Sequence, residues 1–155
     1  KAEVAMSEWL NCVDDALNKL YAEQVYLITN EVHERSIVFW FGVYLNDELK
    51  NSEYKNFNLD FEYNKNHSNP KKTTNFPKGT YPDLILHKRG SNKDNILMIE
   101  FKTWWDDDNV KDINKLKDFT NQDGKYRYKI GYSIILNKSR KDCKITKVIN
   151  GEVYE

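Results

Sequence analysis

Tyr81-Pro82-Asp83-Leu84-Ile85-Leu86-His87, followed after a polar loop by Ile96-Leu97-Met98-Ile99-Glu100-Phe101-Lys102, is the stretch on which the reading of this chain turns. Both segments are short runs rich in Ile and Leu, bounded by turn formers, as buried strands are. Charge inside such a strand needs a reason, because an unpaired charge in low dielectric costs several kcal/mol. Side-chain alternation predicts Glu100 and Lys102 on one face of the second strand and Phe101 on the other. If the strands pair as a hairpin, Asp83 at the start of the first lies opposite the end of the second. Two carboxylates and an ammonium then meet at one edge of a sheet.

Carboxylates that close repel, and at neutral pH they need a cation. Lys102 supplies one charge, and a hard divalent ion supplies the rest; Mg²⁺ takes one or two carboxylates and keeps several waters. The backbone carbonyl of Phe101 is a further candidate ligand. Lys102 beside such an ion could orient a water for attack on a phosphodiester. The triplet alone says little, because Asp/Glu-x-Lys occurs five times, at 48–50, 53–55, 100–102, 123–125 and 142–144. Only the one at 100–102 ends an apolar run and follows a Pro-Asp that opens another. The competing picture is a surface hairpin whose Glu100 and Lys102 form a cross-strand pair contributing about 0.2–1 kcal/mol. Ile-Leu-Met-Ile before Glu100 argues against a solvated strand.

Pro82-Asp83 with Glu100-Phe101-Lys102 resembles the motif of the PD-(D/E)XK nuclease superfamily. The resemblance implies an α/β restriction-endonuclease-like core, a mixed central sheet flanked by helices in the order α-β-β-β-α-β. Here an extra N-terminal helix and a C-terminal hairpin are added. It also implies a metal-dependent nuclease, an endonuclease with DNA as the expected substrate. Asp83 and Glu100 would hold Mg²⁺ or Mn²⁺, and Lys102 would serve the attacking water. Many members carry a Glu on the first core helix beside the metal. Glu34 is the expected counterpart, with Glu31 as its rival. Glu34-Arg35-Ser36, Glu62-Tyr63-Asn64, Pro70-Lys71, His87-Lys88-Arg89-Gly90 and Tyr126-x-Tyr128-Lys129-Ile130-Gly131 also resemble segments of a narrower group of small uncharacterised bacterial proteins in that superfamily. One departure is visible: Thr103 stands where a second Lys is expected, which removes a charge that could contact phosphate.

Outward from the motif, residues 1 to about 22 predict an amphipathic helix with Trp9, Val13, Ala16 or Leu17 and Leu20 at helical spacing. The apolar Val25-Tyr26-Leu27-Ile28 leads to Thr29-Asn30, which read as N-caps of a second helix from about 31 to 49. On that helix Glu34 shares a stripe with Val38, Phe41 and Leu45. A first-turn carboxylate favoured by the helix dipole explains it equally simply. Phe57–Tyr63 alternates as a half-buried strand, with Asp60 and Glu62 on its polar face. Residues 64–80 form a polar loop whose Lys71, Lys72 and Lys78 are candidate phosphate contacts. His87 alternates onto the Asp83 face and joins them as a nucleic-acid-binding candidate. Trp104 and Trp105 read as packing residues. Asp106-Asp107-Asp108 can start a helix over about 109–120, with Val110, Ile113, Leu116 or Lys117, and Phe119 as its stripe, or bind a metal. Tyr126 to Leu136 predicts a strand, and Asn150-Gly151 a final hairpin turn.

Composition sets the limits. The 155 residues suit one domain, 1–155, with 14% aromatic and 31% charged residues. Formal net charge is zero, with 24 basic and 24 acidic side chains, so nucleic acid would be held by a local patch and not by a global basic field. Cys12 and Cys143 show no metal-ligand spacing and fit a reducing cytoplasm. No run has transmembrane length and no signal peptide is visible, so no membrane partner is expected. The reading that competes with an enzyme is a non-catalytic nucleic-acid or protein binding module on the same fold. A homodimer or a subunit of a larger defence or repair complex also stays open.

Overall fold

β4 (Leu84–His87) and β5 (Leu97–Thr103) form the centre of the protein, buried along nearly their whole length. The structure is a computed structural model that describes residues 2–63, 65–66, 69–77 and 79–154, with backbone only at 2–10, 65–66 and 69–70. The chain is α/β, a six-stranded mixed sheet with three helices, in the strand order β1-β4-β5-β6-β7-β8. β1 (Asn58–Phe61) pairs antiparallel with β4, and β4 antiparallel with β5. β5 runs parallel to β6 (Ile130–Leu136), and α3 (Val110–Thr120) makes the crossover between them. β7 (Lys144–Ile149) and β8 (Glu152–Tyr154) complete the sheet as an antiparallel hairpin. A separate two-stranded ribbon pairs β2 (Lys65–Asn66) with β3 (Asn69–Pro70).

Alternation sorts the sheet's side chains into two cores. Leu97, Ile99 and Phe101 of β5 pack with α1 (Ala2–Thr29) and α2 (Glu34–Leu49), through Leu17, Leu20, Ile37 and Phe41. Met98 joins Ile85, Leu116, Phe119, Tyr126 and Tyr128 on the α3 side. The sheet is therefore covered on both faces, which is why its central strands are continuous apolar runs. Close seating of α3 depends on Gly131, where an added Cβ would stand 2.8 Å from Leu116 Cδ2. The β7–β8 turn is Asn150-Gly151, both at positive φ, as a type I′ hairpin requires.

Several expectations change. The first helix does not stop near residue 22. It continues through a kink at Gln24 (φ −127°, ψ 22°) and takes in Val25–Ile28, because no Gly or Pro interrupts it and Ile28 is buried. Thr29 and Asn30 do not cap α2. They bond backward, Thr29 Oγ1 donating to the Val25 carbonyl and Asn30 Nδ2 to the Tyr26 carbonyl. They thereby satisfy carbonyls at the end of α1. Glu31 follows with φ 53°, and the N-cap of α2 is His33, whose Nδ1 accepts from the Arg35 N–H.

On α3 the expected apolar stripe holds at Leu116 and Phe119 but not at Val110. Val110 is 64% exposed, whereas Asp112, Leu116, Phe119 and Thr120 face inward. Asp108 Oδ1 accepts the Val110 N–H at the helix start. Regular strand pairing in the last core strand begins at Ile130, with Tyr126 and Tyr128 buried ahead of it. Trp104 packs against the α1–α2 core and donates its Nε1–H to the Ile28 carbonyl. Trp9's side chain lies outside the described residues. Cys12 and Cys143 are not joined in a disulfide, and among the described residues no helix is long and apolar enough to cross a membrane.

Phe101 is fully buried with its ring 5.0 Å from that of Phe41. Phe101→Ala should lower unfolding stability by about 3–5 kcal/mol in urea titrations. A loss below about 1 kcal/mol would show that the α2–β5 contact does not carry the core.

Candidate functional site

The β4–β5 ladder ends at Leu84–Ile99, because the chain before Asp83 is Pro82, which has no N–H to give. Side chains complete what the backbone cannot. The Asp83 N–H donates to Glu100 Oε2 at 2.6 Å, and the Phe101 N–H donates to Asp83 Oδ2 at 2.8 Å. The register thus places Asp83 beside Glu100, with Glu100 and Lys102 on the α3 side and Phe101 in the opposite core. Along a strand, the N–H and C=O of one residue lie on the same edge. The Phe101 carbonyl therefore faces the same side as the Asp83 carboxylate.

Glu34, the first residue of α2, approaches from the other layer. A cleft of about 90 Å³ separates it from Asp83, walled by Val38, Phe61 and Glu62. Glu34 is raised to about 7, by burial first and then by Asp83, with Lys102 pulling it back. Glu31, its rival, sits exposed in the turn after α1.

Two further residues complete the cluster, and both come from α3. Asp112 is 6% exposed, and its Oδ2 has no hydrogen-bond partner. Lys102 Nζ lies 3.8 Å away, an ion pair too long for a hydrogen bond. Lys115 Nζ is 2.5 Å from Glu100 Oε1 and also reaches the Tyr81 carbonyl at 3.3 Å. Glu34, Asp83, Glu100 and Asp112 thus belong to one electrostatic network with Lys102 and Lys115, which Asp106 and the Arg35-paired Glu62 also join. Carboxylates outnumber cations in it.

The titration behaviour follows from that excess. Burial, then Asp83, pushes Glu100 up to about 8, and Lys115 offsets part of the rise. Burial raises Asp112 to about 6 despite Lys102. Asp83 is raised by burial, with the Phe101 N–H and both lysines working against it. For Lys102 and Lys115 burial opposes the charge, yet the surrounding carboxylates prevail and both pKa values rise.

The oxygen donors and their charge fit a hard divalent cation. Among the described residues no group of three or more His, Cys, Asp or Glu side chains is gathered closely enough to hold a metal ion. Glu100 spends one oxygen on the Asp83 N–H and the other on Lys115.

The nucleic-acid candidates are also redistributed. Lys71 is 1% exposed, its Nζ over the rings of Tyr126 (4.9 Å) and Tyr63 (5.6 Å), and burial lowers its pKa to about 8. His87 is 2% exposed, with Nε2 2.8 Å from Asp60 Oδ2, and Arg89 grips the same Asp60 carboxylate. These two side chains are structural and not part of a binding surface; the Asp60 face is an ion-pair network and not bare solvent. Lys72 remains exposed, its backbone anchored by the Tyr126 hydroxyl. Lys78 lies outside the described residues. Thr103 is buried, so a lysine at that position would point into the α1–α2 core and not at a phosphate.

No family model, curated protein or solved structure matches the chain. The chemistry is carried by these side chains alone.

Asp112 and Lys115 were legible in principle. They stand four residues before Leu116 and Phe119, the two apolar residues that fix the inward face of α3. Two outcomes follow. Glu34, Glu100 and Asp112 hold their protons more tightly folded than unfolded. Their contribution to stability is therefore complete near pH 4 and is lost as pH rises through 6 to 8. In chelator, the melting temperature should fall by about 5 °C or more between pH 5 and pH 8, and a flat profile would contradict the buried cluster. Lys115→Met should deepen that fall, because it removes the cation nearest Glu100; Mn²⁺ should then recover more of the melting temperature at pH 8 than it does in wild type.

Proposed function

We propose that the chain is a metal-dependent nuclease of the PD-(D/E)XK type, on a restriction-endonuclease-like core, cleaving phosphodiester bonds with DNA as substrate. One observation carries the reading. Asp83 and Glu100 are locked together at the strand ends, with Lys102 on the same face and more carboxylates than cations around them. A structural hairpin pair would be exposed and matched in charge; here Glu100 and Asp112 are buried and the acids outnumber their cations.

Asp83 and Glu100 would hold Mg²⁺ or Mn²⁺, with Glu34 across the cleft and the Phe101 carbonyl on the same side. The ion supplies Lewis-acid stabilisation of the charge that develops on a phosphate. The protein's own groups do the rest. Lys102, with a side chain 26% exposed and within electrostatic reach of Glu34 and Asp83, would orient the attacking water. Asp112 holds its ammonium to one side and keeps it charged. Glu34, poised near neutrality, accepts a proton at its carboxylate. Lys115 must release Glu100 before the second carboxylate is free. The arrangement is acidic at the centre, so substrate grip would come from cations outside it.

The Glu100–Lys115 pair also favours a second reading, a binding module whose ammonium permanently replaces the metal. The two part on one measurement. In the nuclease, Mn²⁺ binds in an isothermal titration, and Asp83→Asn abolishes that binding. Supercoiled and linear DNA should be cut with Mn²⁺ and not with chelator. Lys102→Ala should reduce the cleavage rate at least about 100-fold while Mn²⁺ binding persists. Undiminished cleavage by Lys102→Ala would remove lysine from the mechanism, and absence of Mn²⁺ binding in wild type would leave the module.

A further inference from the structure

The cleft between Glu34 and Asp83 does not end at the carboxylates. His33, Arg35 and Phe61 line it and also line an adjoining open groove of about 560 Å³, whose other walls are Ser36, Phe39 and Trp40. We propose that this groove is a nucleobase subsite: it takes an unpaired base of a single-stranded nucleic acid whose backbone continues into the carboxylate cleft. The proposal rests on the nuclease reading for the role of that cleft, and it names the substrate class as single-stranded nucleic acid or a splayed end.

The groove is built from the exposed side of α2 and the end of the edge strand β1. Phe39 and Phe61 are each 46% exposed, although α2 supplies buried residues to the core and β1 packs the half-buried Leu59 against it. Trp40 braces Phe39 edge-on, with ring centroids 5.3 Å apart, and leans on Tyr44 from the other side. A supported ring with an open face is what a base stacks on, and such stacking tolerates any base. The groove has ample volume for one base.

The charge at the groove complements a nucleic-acid backbone. Arg35 stands at the junction of groove and cleft, joined to Glu62 at 3.3 Å in an exposed pair. Exposed pairs of this kind are weak and exchange partners readily, so the guanidinium is available to a phosphate. His33 is exposed beside it. A duplex cannot use this subsite, because its bases are stacked and paired; a base must be free to swing out. A protein partner, or a second copy of the chain, is the competing occupant of the aromatic surface.

The full-length chain tests this in chelator, where no cleavage interferes. Fluorescence anisotropy would compare a labelled oligothymidylate, the same strand with abasic positions, and a duplex. The single strand should bind more tightly than either, and binding should quench Trp40. Phe39→Ala and Phe61→Ala should each weaken single-strand binding about 5- to 100-fold and leave duplex binding unchanged, while Phe39→Trp and Phe61→Tyr should retain it. Because both rings are exposed, circular dichroism should confirm that the alanine variants fold.

Equal affinity for abasic and intact strands, or alanine variants that bind as wild type, would overturn the subsite. So would light scattering in which the phenylalanines drive self-association without any strand binding. The two readings fail separately. If Asp83-dependent Mn²⁺ binding and DNA cleavage occur without phenylalanine-dependent strand binding, the groove falls and the nuclease stands. If the strand binds through the phenylalanines and Mn²⁺ does not bind, the nuclease falls and the groove stands.

Discussion

Two backbone N–H groups at the point where β4 and β5 part company are satisfied by carboxylates instead of carbonyls, and much of the protein follows from that substitution. Asp83 and Glu100 each accept from the other's strand, so the side chains continue the ladder beyond its last backbone pair. The exchange fixes both carboxylates in position and orientation. It also holds Glu100 where water barely reaches, with Asp83 half-buried beside it. A neutral pair such as two asparagines would close the ladder without that electrostatic burden. The acidic pair leaves the site with charge that something else must balance.

The balance is partial. Lys115 reaches over from α3 to Glu100, and Lys102 from the same strand leans toward Asp112. Each lysine is matched by its own carboxylate, so Asp83 and Glu34 face each other across the cleft without a full counter-charge. Their raised pKa values express that shortage: in the absence of a cation, protons make up the difference. A divalent ion and protons would therefore compete for the same oxygens. The apolar packing of α3, through Leu116 against Gly131, is what brings Asp112 and Lys115 to this spot.

Sequence reasoning reached the part of this that depends on alternation. The apolar runs around Asp83 and Glu100 identified the strands, their period put Glu100 and Lys102 on one face, and Asn150-Gly151 marked its turn. What it missed depends on how whole elements rotate and where they stop. The expected stripe on α3 holds at Leu116 and Phe119, and what those two imply for Asp112 and Lys115, one turn earlier, is the part that goes unread. Thr29 and Asn30 have capping chemistry that serves either end of a helix, and only the continuation of α1 past Gln24 decides which. Lys71 reads as a loop lysine, and His87 as a candidate for either a structural or a binding role, because their partners, Tyr63, Tyr126 and Asp60, come from distant parts of the chain. No local pattern encodes such partners.

The helices that bring Glu34 and Asp112 to the site also bring their N-termini. α2 begins at Glu34, and α3 begins two residues before Asp112. A helix N-terminus carries roughly half a positive charge and favours an acidic residue in its first turn. That preference explains why each position tolerates a carboxylate, and it makes the bland explanation of Glu34 correct as far as it goes. It does not go far enough. Two such termini together offer about one positive charge at most. The helix ends can hold Glu34 and Asp112 individually, but they do not balance Asp83 and Glu100 as well, nor Asp106, whose charge also bears on Glu34 and Asp112. Capped helices and a closed strand pair therefore account for each acid singly and not for their placement within electrostatic reach of one another.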